Sequence, residues 1–251
     1  MVRRAEYALP GYGGVPLKAL LISDIHVAGP DMPPARLARI VGQINALNPD
    51  LVLIAGDLIG DKPVATKMYS MTDAVAPLAG LRPRLGTFAV LGNHDHWRSS
   101  SAAEAALRAI GVTVLSNDAV RVGPLALAGL DDDYTDHSDL PRALAQQRGI
   151  GGSPILLSHS PDPFPRLPAG PMLMLAGHTH CGQIRLPLIG ALSTMSKLGD
   201  RYACGLAREG NKVLIVGAGV GTSIVPLRLG AVPDMWLIRL MPGSAGTGSG
   251  G

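Results

Sequence analysis

Charge is scarce in this sequence. Only 16% of its 251 residues are Asp, Glu, Lys or Arg, the formal net charge is +3, and no block of like charges interrupts the chain. That argues against a basic nucleic-acid arm, and 47% hydrophobic residues exclude a disordered chain. Cysteine is scarcer still: Cys181 and Cys204 allow one disulfide but no disulfide framework. No run reaches the roughly 18 uncharged apolar residues of a membrane span. The longest candidate, 213–227, is broken by glycines and reads as strand plus loop. Residues 1–4 lack the apolar stretch of a signal peptide. The expectation is a chain soluble as given, in which a removed upstream anchor would leave no trace. Repeats of fixed period and linkers are also missing, so 1–242 are expected to form one domain with a substantial core. The Gly/Ser/Thr-rich tail 243–251 is expected to be disordered or added.

What is present is a regular alternation. Apolar runs at 17–23, 51–55 and 87–91 read as strands. Between and after them lie helical patterns: Leu37, Ile40, Val41, Ile44 and Leu47 make one face, a second helix falls within 64–81, and a third covers 102–110. The second half predicts short strands at 112–115, 119–122, 125–130, 155–157, 172–175, 201–207, 212–216 and 236–240, with a helix near 140–147. Strand and helix in alternation predict a layered α/β fold.

Where an apolar run stops, metal-binding residue types begin. Asp24 and His26 follow the first strand, Gly56-Asp57 the second and Gly92-Asn93-His94-Asp95 the third. His159 and Gly177-His178-Thr179-His180 follow two more. In layered α/β folds, sites lie beyond strand C-termini, so five such loops can share one crevice. Any one histidine reads best as a structural residue; five of the seven in these loops read as a metal site. Asp24 and His26, like His178 and His180, are two apart and in an extended loop would point to one side. Glycines 56, 92 and 177 would let the chain turn sharply before a ligand. Imidazole, carboxylate and amide oxygen without thiolate argue against structural zinc and suit a hydrolytic site.

These five blocks, in order and over most of the chain, resemble the calcineurin-like metallophosphoesterase superfamily. Gly92-Asn93-His94-Asp95-His96-Trp97 and Gly177-His178-Thr179-His180-Cys181-Gly182-Gln183 are similar to a bacterial phosphodiesterase branch with a GHTHxGQ motif, which usually has Gly at the position of Cys181. The resemblance implies a four-layer α/β/β/α sandwich and two divalent metal ions, Mn, Zn or Fe. Asp24, His26, Asp57 and His180 would hold the first; Asp57, Asn93, His159 and His178 the second, with Asp57 bridging. The implied activity is a phosphodiesterase cutting a phosphate diester or pyrophosphate bond by metal-bound hydroxide. His94 would protonate the leaving oxygen and Asp95 would orient its ring. The alternatives are a phosphomonoesterase, a cyclic-nucleotide phosphodiesterase and, ranked lower, a metal-bound scaffold without activity.

The implied partner is a small-molecule phosphate ester, nucleotide- or lipid-linked, with no nucleic acid expected. The implied location is bacterial, cytoplasmic or membrane-associated. Four features remain weaker. His96, Trp97 and Arg98 read equally as an entrance lining and as loop packing. Asp131-Asp132-Asp133 is expected to be a solvated turn. Asp61 lies too far past Asp57 for a role to be assigned. The apolar segment 186–195 is expected to pack as core, with a lipid tail or membrane surface as the other reading. Cys181, beside His180, reads as a small side chain tolerated in a tight loop, with redox sensitivity as the alternative.

Overall fold

Two apolar faces on every central strand dictate the architecture. Strands buried on both sides read as continuous hydrophobic runs, and such strands belong inside a stack of layers. The computed structural model describes residues 1–243, so the tail expected from 243 lies, save for Gly243, outside the described residues. In chain order the first half comprises β1 (Val2–Leu9), β2 (Leu17–Ile22), α1 (Pro34–Ala46), β3 (Leu51–Ala55), α2 (Met71–Val75), β4 (Thr87–Val90), α3 (Asn93–Ala109) and β5 (Thr113–Val114). The second half comprises β6 (Asp118–Val122), β7 (Leu125–Gly129), α4 (Leu140–Ile150), β8 (Ser153–Leu157), β9 (Met172–Ala176), β10 (Arg185–Leu186), β11 (Gly190–Ala191), β12 (Gly205–Glu209), β13 (Lys212–Val216) and β14 (Met235–Pro242).

Two six-stranded sheets result, in the orders β1-β14-β2-β3-β4-β5 and β12-β13-β9-β8-β7-β6. β2, β3, β4 and β5 are parallel neighbours in the first. β7, β8, β9 and β13 are parallel neighbours in the second. Alternate residues of each strand face opposite ways. Leu21, Leu53 and Val90 accordingly meet Leu127, Leu157 and Leu175 between the sheets. Ile22, Ile54 and Leu91 point outward onto Leu37, Ile44 and Leu107 of the helices. On the far side, Leu156, Met174 and Leu214 pack under Leu140 and Leu144 of α4. These three apolar seams separate four layers, helix, sheet, sheet, helix. Among the described residues no helix is long and apolar enough to cross a membrane.

Several elements differ from the expectation. β1 was not expected; it pairs in parallel with β14 across its full length and leaves Arg3, Arg4 and Glu6 outside the core. α3 starts at Asn93, nine residues earlier than the expected 102, because Gly92-Asn93-His94-Asp95 forms a helix N-terminus and not a loop. The chain breaks helical geometry at Ser99 within that span. Residues 199–202 form a 3-10 turn, so the strand expected from 201 begins at Gly205.

Candidate metal centre

Parallel strands have their C-terminal ends at one edge of a sheet. β2, β3 and β4 of one sheet and β8 and β9 of the other deliver their loops to a common place. Asp24, His26, Asp57, Asn93, His159, His178 and His180 are all buried there. Five of them have left-handed backbone: Asp24 (φ 49°), His26 (48°), Asp57 (57°), His178 (71°) and His180 (51°). Each such residue costs of order 1–3 kcal/mol and persists only where its surroundings over-determine it. The extended loops expected from the two-residue spacing are therefore not what brings the pairs inward. The glycine expectation also needs correcting at two of three positions. Gly56 does adopt φ +78°, but at Gly92 and Gly177 the requirement is space. A Cβ at Gly92 would strike the Asp57 carboxylate, and one at Gly177 the Asp24 carboxylate.

Two groups of donor atoms form. In the first, His26 Nε2 lies 3.0 Å from His180 Nε2, and His180 Nε2 lies 3.5 Å from Asp24 Oδ1. In the second, Asn93 Oδ1, His159 Nε2 and His178 Nδ1 lie 3.0–3.1 Å from one another. Asp57 Oδ2 stands between the groups, 3.4 Å from His26 Nε2 and 3.3 Å from His159 Nε2. His178 thus belongs to one group and His180 to the other. Asp24, His26 and His180 each offer a ligand atom within 4.8 Å of the others, as do Asp24, Asp57 and His159.

Proton bookkeeping decides what this place attracts. His159 Nδ1 donates to the Ala55 carbonyl at 2.7 Å, and His178 Nε2 donates to the Met195 carbonyl at 3.1 Å. In the neutral rings the opposite nitrogens are bare lone pairs. With all three groups neutral, those lone pairs converge with the Asn93 amide oxygen on one point. Positive charge satisfies such a set, whether a metal ion or a proton on His159, and outer hydrogen bonds to backbone carbonyls are how metal-ligating imidazoles are oriented. Burial lowers the pKa of His26 to about 3. It lowers that of His178 to about 4, helped by charge on His159. His180 is held well below the usual range by burial, by His26 and by the Arg228 guanidinium beside it. These rings stay neutral, the state a metal requires. Burial also opposes charge on His159, but Asp57 more than offsets it and holds that ring well above its usual value. Burial would likewise raise Asp57; the positive charge and hydrogen bond of His159 lead the effects that together overcome it and keep the carboxylate ionised. A proton gathers where a metal ion would.

The expectation that Asp95 orients His94 is corrected. Asp95 is fully buried and its carboxylate accepts the backbone N–H groups of Asp57, Leu58 and Gly92 at 2.9–3.0 Å. It ties the N-terminus of α3 to the Asp57 loop, and in turn the His94 N–H donates to Asp57 Oδ1 at 2.9 Å. The partner of the His94 ring is Asp61, whose Oδ1 lies 2.6 Å from Nδ1. Sequence spacing could not reveal it, because the loop after β3 folds back before reaching α2. Burial lowers the His94 pKa, but the hydrogen bond it donates to Asp61 and the negative charges of Asp57 and Asp61 together outweigh burial, and the net shift is upward.

Other surroundings depart from expectation. Asp131-Asp132-Asp133 is not a solvated turn: Asp132 and Asp133 are buried, and Asp131 accepts from His96 Nε2 at 2.8 Å and Ser116 Oγ at 2.6 Å. Of His96, Trp97 and Arg98, Trp97 lines the cavity over the centre, while His96 turns away onto Asp131 and stacks on His137. Segment 186–195 is not core: Leu188, Ile189, Leu192 and Met195 are exposed, because a short hairpin lifts them from the sheets. Cys181 is not a free thiol; it is bonded to Cys204. The cavity, about 400 Å³, reaches from Asp57, Asn93 and His94 out to Trp97, Leu192 and Ile224.

The profile of the calcineurin-like phosphoesterase family matches residues 17–182, and the chain belongs to that family. An uncharacterized metallophosphoesterase of Helicobacter pylori is 32% identical over 90% of this chain and 60% of its own length. The phosphodiesterase YaeI of Escherichia coli is 29% identical over 90% of this chain and 83% of its own. A 5'-nucleotidase precursor from Thermus thermophilus superposes with a TM-score of 0.48 at 15% identity, covering 89% of this chain and 55% of that one. The chain spans between about half and three fifths of the length of the first curated relatives it matches.

Proposed function

We propose that the protein is a metal-dependent phosphoric ester hydrolase, acting as a phosphodiesterase on a phosphate diester or pyrophosphate bond. The observation that carries this reading is the convergence of Asn93 Oδ1, His159 Nε2 and His178 Nδ1 on one point, a donor set that positive charge satisfies. Asp57, Asn93, His159 and His178 would hold one divalent ion, and Asp24, His26, Asp57 and His180 the other. Asp57, whose Oδ2 faces a histidine of each group, would serve both. Bound there, two divalent ions supply a water of lowered pKa and positive charge for the phosphate oxygens. Zn, Mn and Fe all suit this donor set.

The chain's own residues supply the rest. His94 sits beside His26 with its ring edge-on, its Nδ1 engaged by Asp61 and its Nε2 towards Ser223. With Nδ1–H held by a carboxylate, the ring carries a second proton on Nε2 readily and donates it to a leaving oxygen. Asp95 serves by fixing the Asp57 loop and the helix start that presents Asn93 and His94. Support for a diester over a monoester comes from the relative named a phosphodiesterase.

The test is hydrolysis of bis(p-nitrophenyl) phosphate against p-nitrophenyl phosphate by metal-depleted protein, with Mn, Zn, Fe or Mg restored singly and Asp57→Ala as control. Metal-dependent cleavage of the diester that the variant lacks is expected. Preference for the monoester would make the protein a phosphatase, and no turnover with metals bound would favour a scaffold.

A further inference from the structure

Lys62, Asp31 and Thr222, none of them among the candidate ligands, form one polar chain below the surface. The Lys62 side chain is 1% exposed and that of Asp31 11%, and Lys62 Nζ donates to Asp31 Oδ1 at 2.6 Å. The other oxygen of that carboxylate accepts from Thr222 Oγ1 at 2.7 Å. The chain crosses three segments distant in sequence: Asp31 lies between β2 and α1, Lys62 between β3 and α2, and Thr222 between β13 and β14. Taking an ammonium and a carboxylate out of water is costly, and apolar side chains would fill the same space without that cost. What the ion pair adds is direction, because a charge-assisted hydrogen bond fixes the geometry of both ends.

The sequence neighbours of the chain show what is being directed. Lys62 follows Asp61, whose Oδ1 lies 2.6 Å from His94 Nδ1. Thr222 precedes Ser223, whose Oγ lies 3.4 Å from His94 Nε2. The two groups flanking the His94 ring thus come from opposite halves of the sequence, and their immediate neighbours are tied to each other through Asp31. Asp31 is itself anchored, since the Arg36 guanidinium donates to its backbone carbonyl at 2.6 Å. The Gly60 N–H donates to the Val27 carbonyl at 3.2 Å and the Gly221 N–H to the Asp24 carbonyl at 2.8 Å, so both flanking segments also rest on the loop after β2.

We propose that Lys62, Asp31 and Thr222 are positioning residues, a cross-tie that holds Asp61 and Ser223 on either side of the His94 imidazole and so aims its Nε2 at the leaving oxygen. The cross-tie rests on the reading of His94 as the proton donor of a phosphodiesterase and extends it to three side chains that act through others. Proton transfer depends on such aim: a misplacement of about 1 Å costs on the order of a hundredfold in rate. Loosening one link of the tie should cost less, about tenfold.

The test is Thr222→Val, which keeps the shape of the side chain and removes its hydroxyl, beside Thr222→Ser, which retains the hydroxyl. On diesters with alkyl leaving groups, metal-loaded Thr222→Val should lose about tenfold in kcat with KM little changed. It should lose much less on bis(p-nitrophenyl) phosphate, and Thr222→Ser should keep most of the wild-type rate on both. A second readout needs neither metal nor turnover. The ring 15N shifts of His94 in metal-free protein, assigned with His94→Gln and read above the pH of its titration, should show Nδ1 as the protonated nitrogen. In Thr222→Val, and in Lys62→Met/Asp31→Asn, which removes both charges together and leaves no unpaired ion, the two shifts should move towards the averaged values of a free imidazole. Unchanged shifts in both variants, an equal fall on good and poor leaving groups, or loss of bound metal from Thr222→Val would each overturn the proposal. Shifts that move as expected in a protein inactive on every diester would leave the cross-tie standing and remove the activity reading alone.

Discussion

Asp61→Asn isolates the role of the carboxylate that sequence spacing left unassigned. Its Oδ1 lies 2.6 Å from His94 Nδ1, and the two side chains are 32% and 11% exposed. A hydrogen bond to a charged group contributes roughly 1.5–3 kcal/mol, and the solvent reach of Asp61 favours the lower end. The amide still accepts from Nδ1–H but no longer balances a protonated ring. Since about 1.4 kcal/mol is tenfold in rate, turnover should fall about ten- to thirtyfold where leaving-group protonation limits it. p-Nitrophenolate leaves with little help and an alkoxide does not. The variant should therefore lose much more on diesters with alkyl leaving groups than on bis(p-nitrophenyl) phosphate. Steady-state rates across such a leaving-group series, with metal content measured in parallel, decide the matter. An equal fall on good and poor leaving groups would refute the acid role of His94, and loss of metal in the variant would make Asp61 a scaffold of the centre.

Asp95→Ala strands three buried backbone N–H groups, so stability should drop by about 3 kcal/mol or more, read by urea denaturation. Gly56→Ala places a Cβ 2.6 Å from Gly92 N and 2.7 Å from His159 Nδ1 at φ +78°, so bound metal measured by elemental analysis should fall. The His96–Asp131 pair gives a pH signature. Burial pulls His96 down but Asp131 raises it on balance, while burial pushes Asp131 up and His96 lowers it on balance. The coupling in a His96→Gln/Asp131→Asn double-mutant cycle should thus be full between about pH 4 and 6.5. It should fade as pH rises through the raised histidine value or falls through the lowered carboxylate value.

The central strands were legible because both their faces are apolar: 51–55 and 172–176 have no polar residue at all. β1 was not, because Arg3, Arg4 and Glu6 break any apolar alternation and its pairing with β14 spans the whole chain. The seven candidate ligands were legible as residue types at strand ends, and the structure brings all seven together. Their conformations were not, since left-handed backbone at Asp24 or His26 is imposed by neighbours such as Gly219 and Gly221, which pack against that loop. The exchange of Asp95 for Asp61 at the His94 ring has the same origin. Which carboxylate reaches a ring depends on how two loops fold against each other. Segment 186–195 was misread for a simpler reason: apolar composition marks what leaves water, and does not say whether a protein core or another apolar phase receives it.

The bond between Cys181 and Cys204 closes a ring of chain around the β10–β11 hairpin. One end of that ring adjoins His180, and the other leads into β12 of the second sheet. The hairpin therefore cannot peel away from the centre as an open flap could. Any tilt imposed on its apolar tip arrives next to a candidate ligand, through one covalent knot. Ring closure over 23 positions also removes unfolded-chain freedom on the order of 3 kcal/mol. The outermost part of the molecule is in this way mechanically the nearest neighbour of its innermost chemistry.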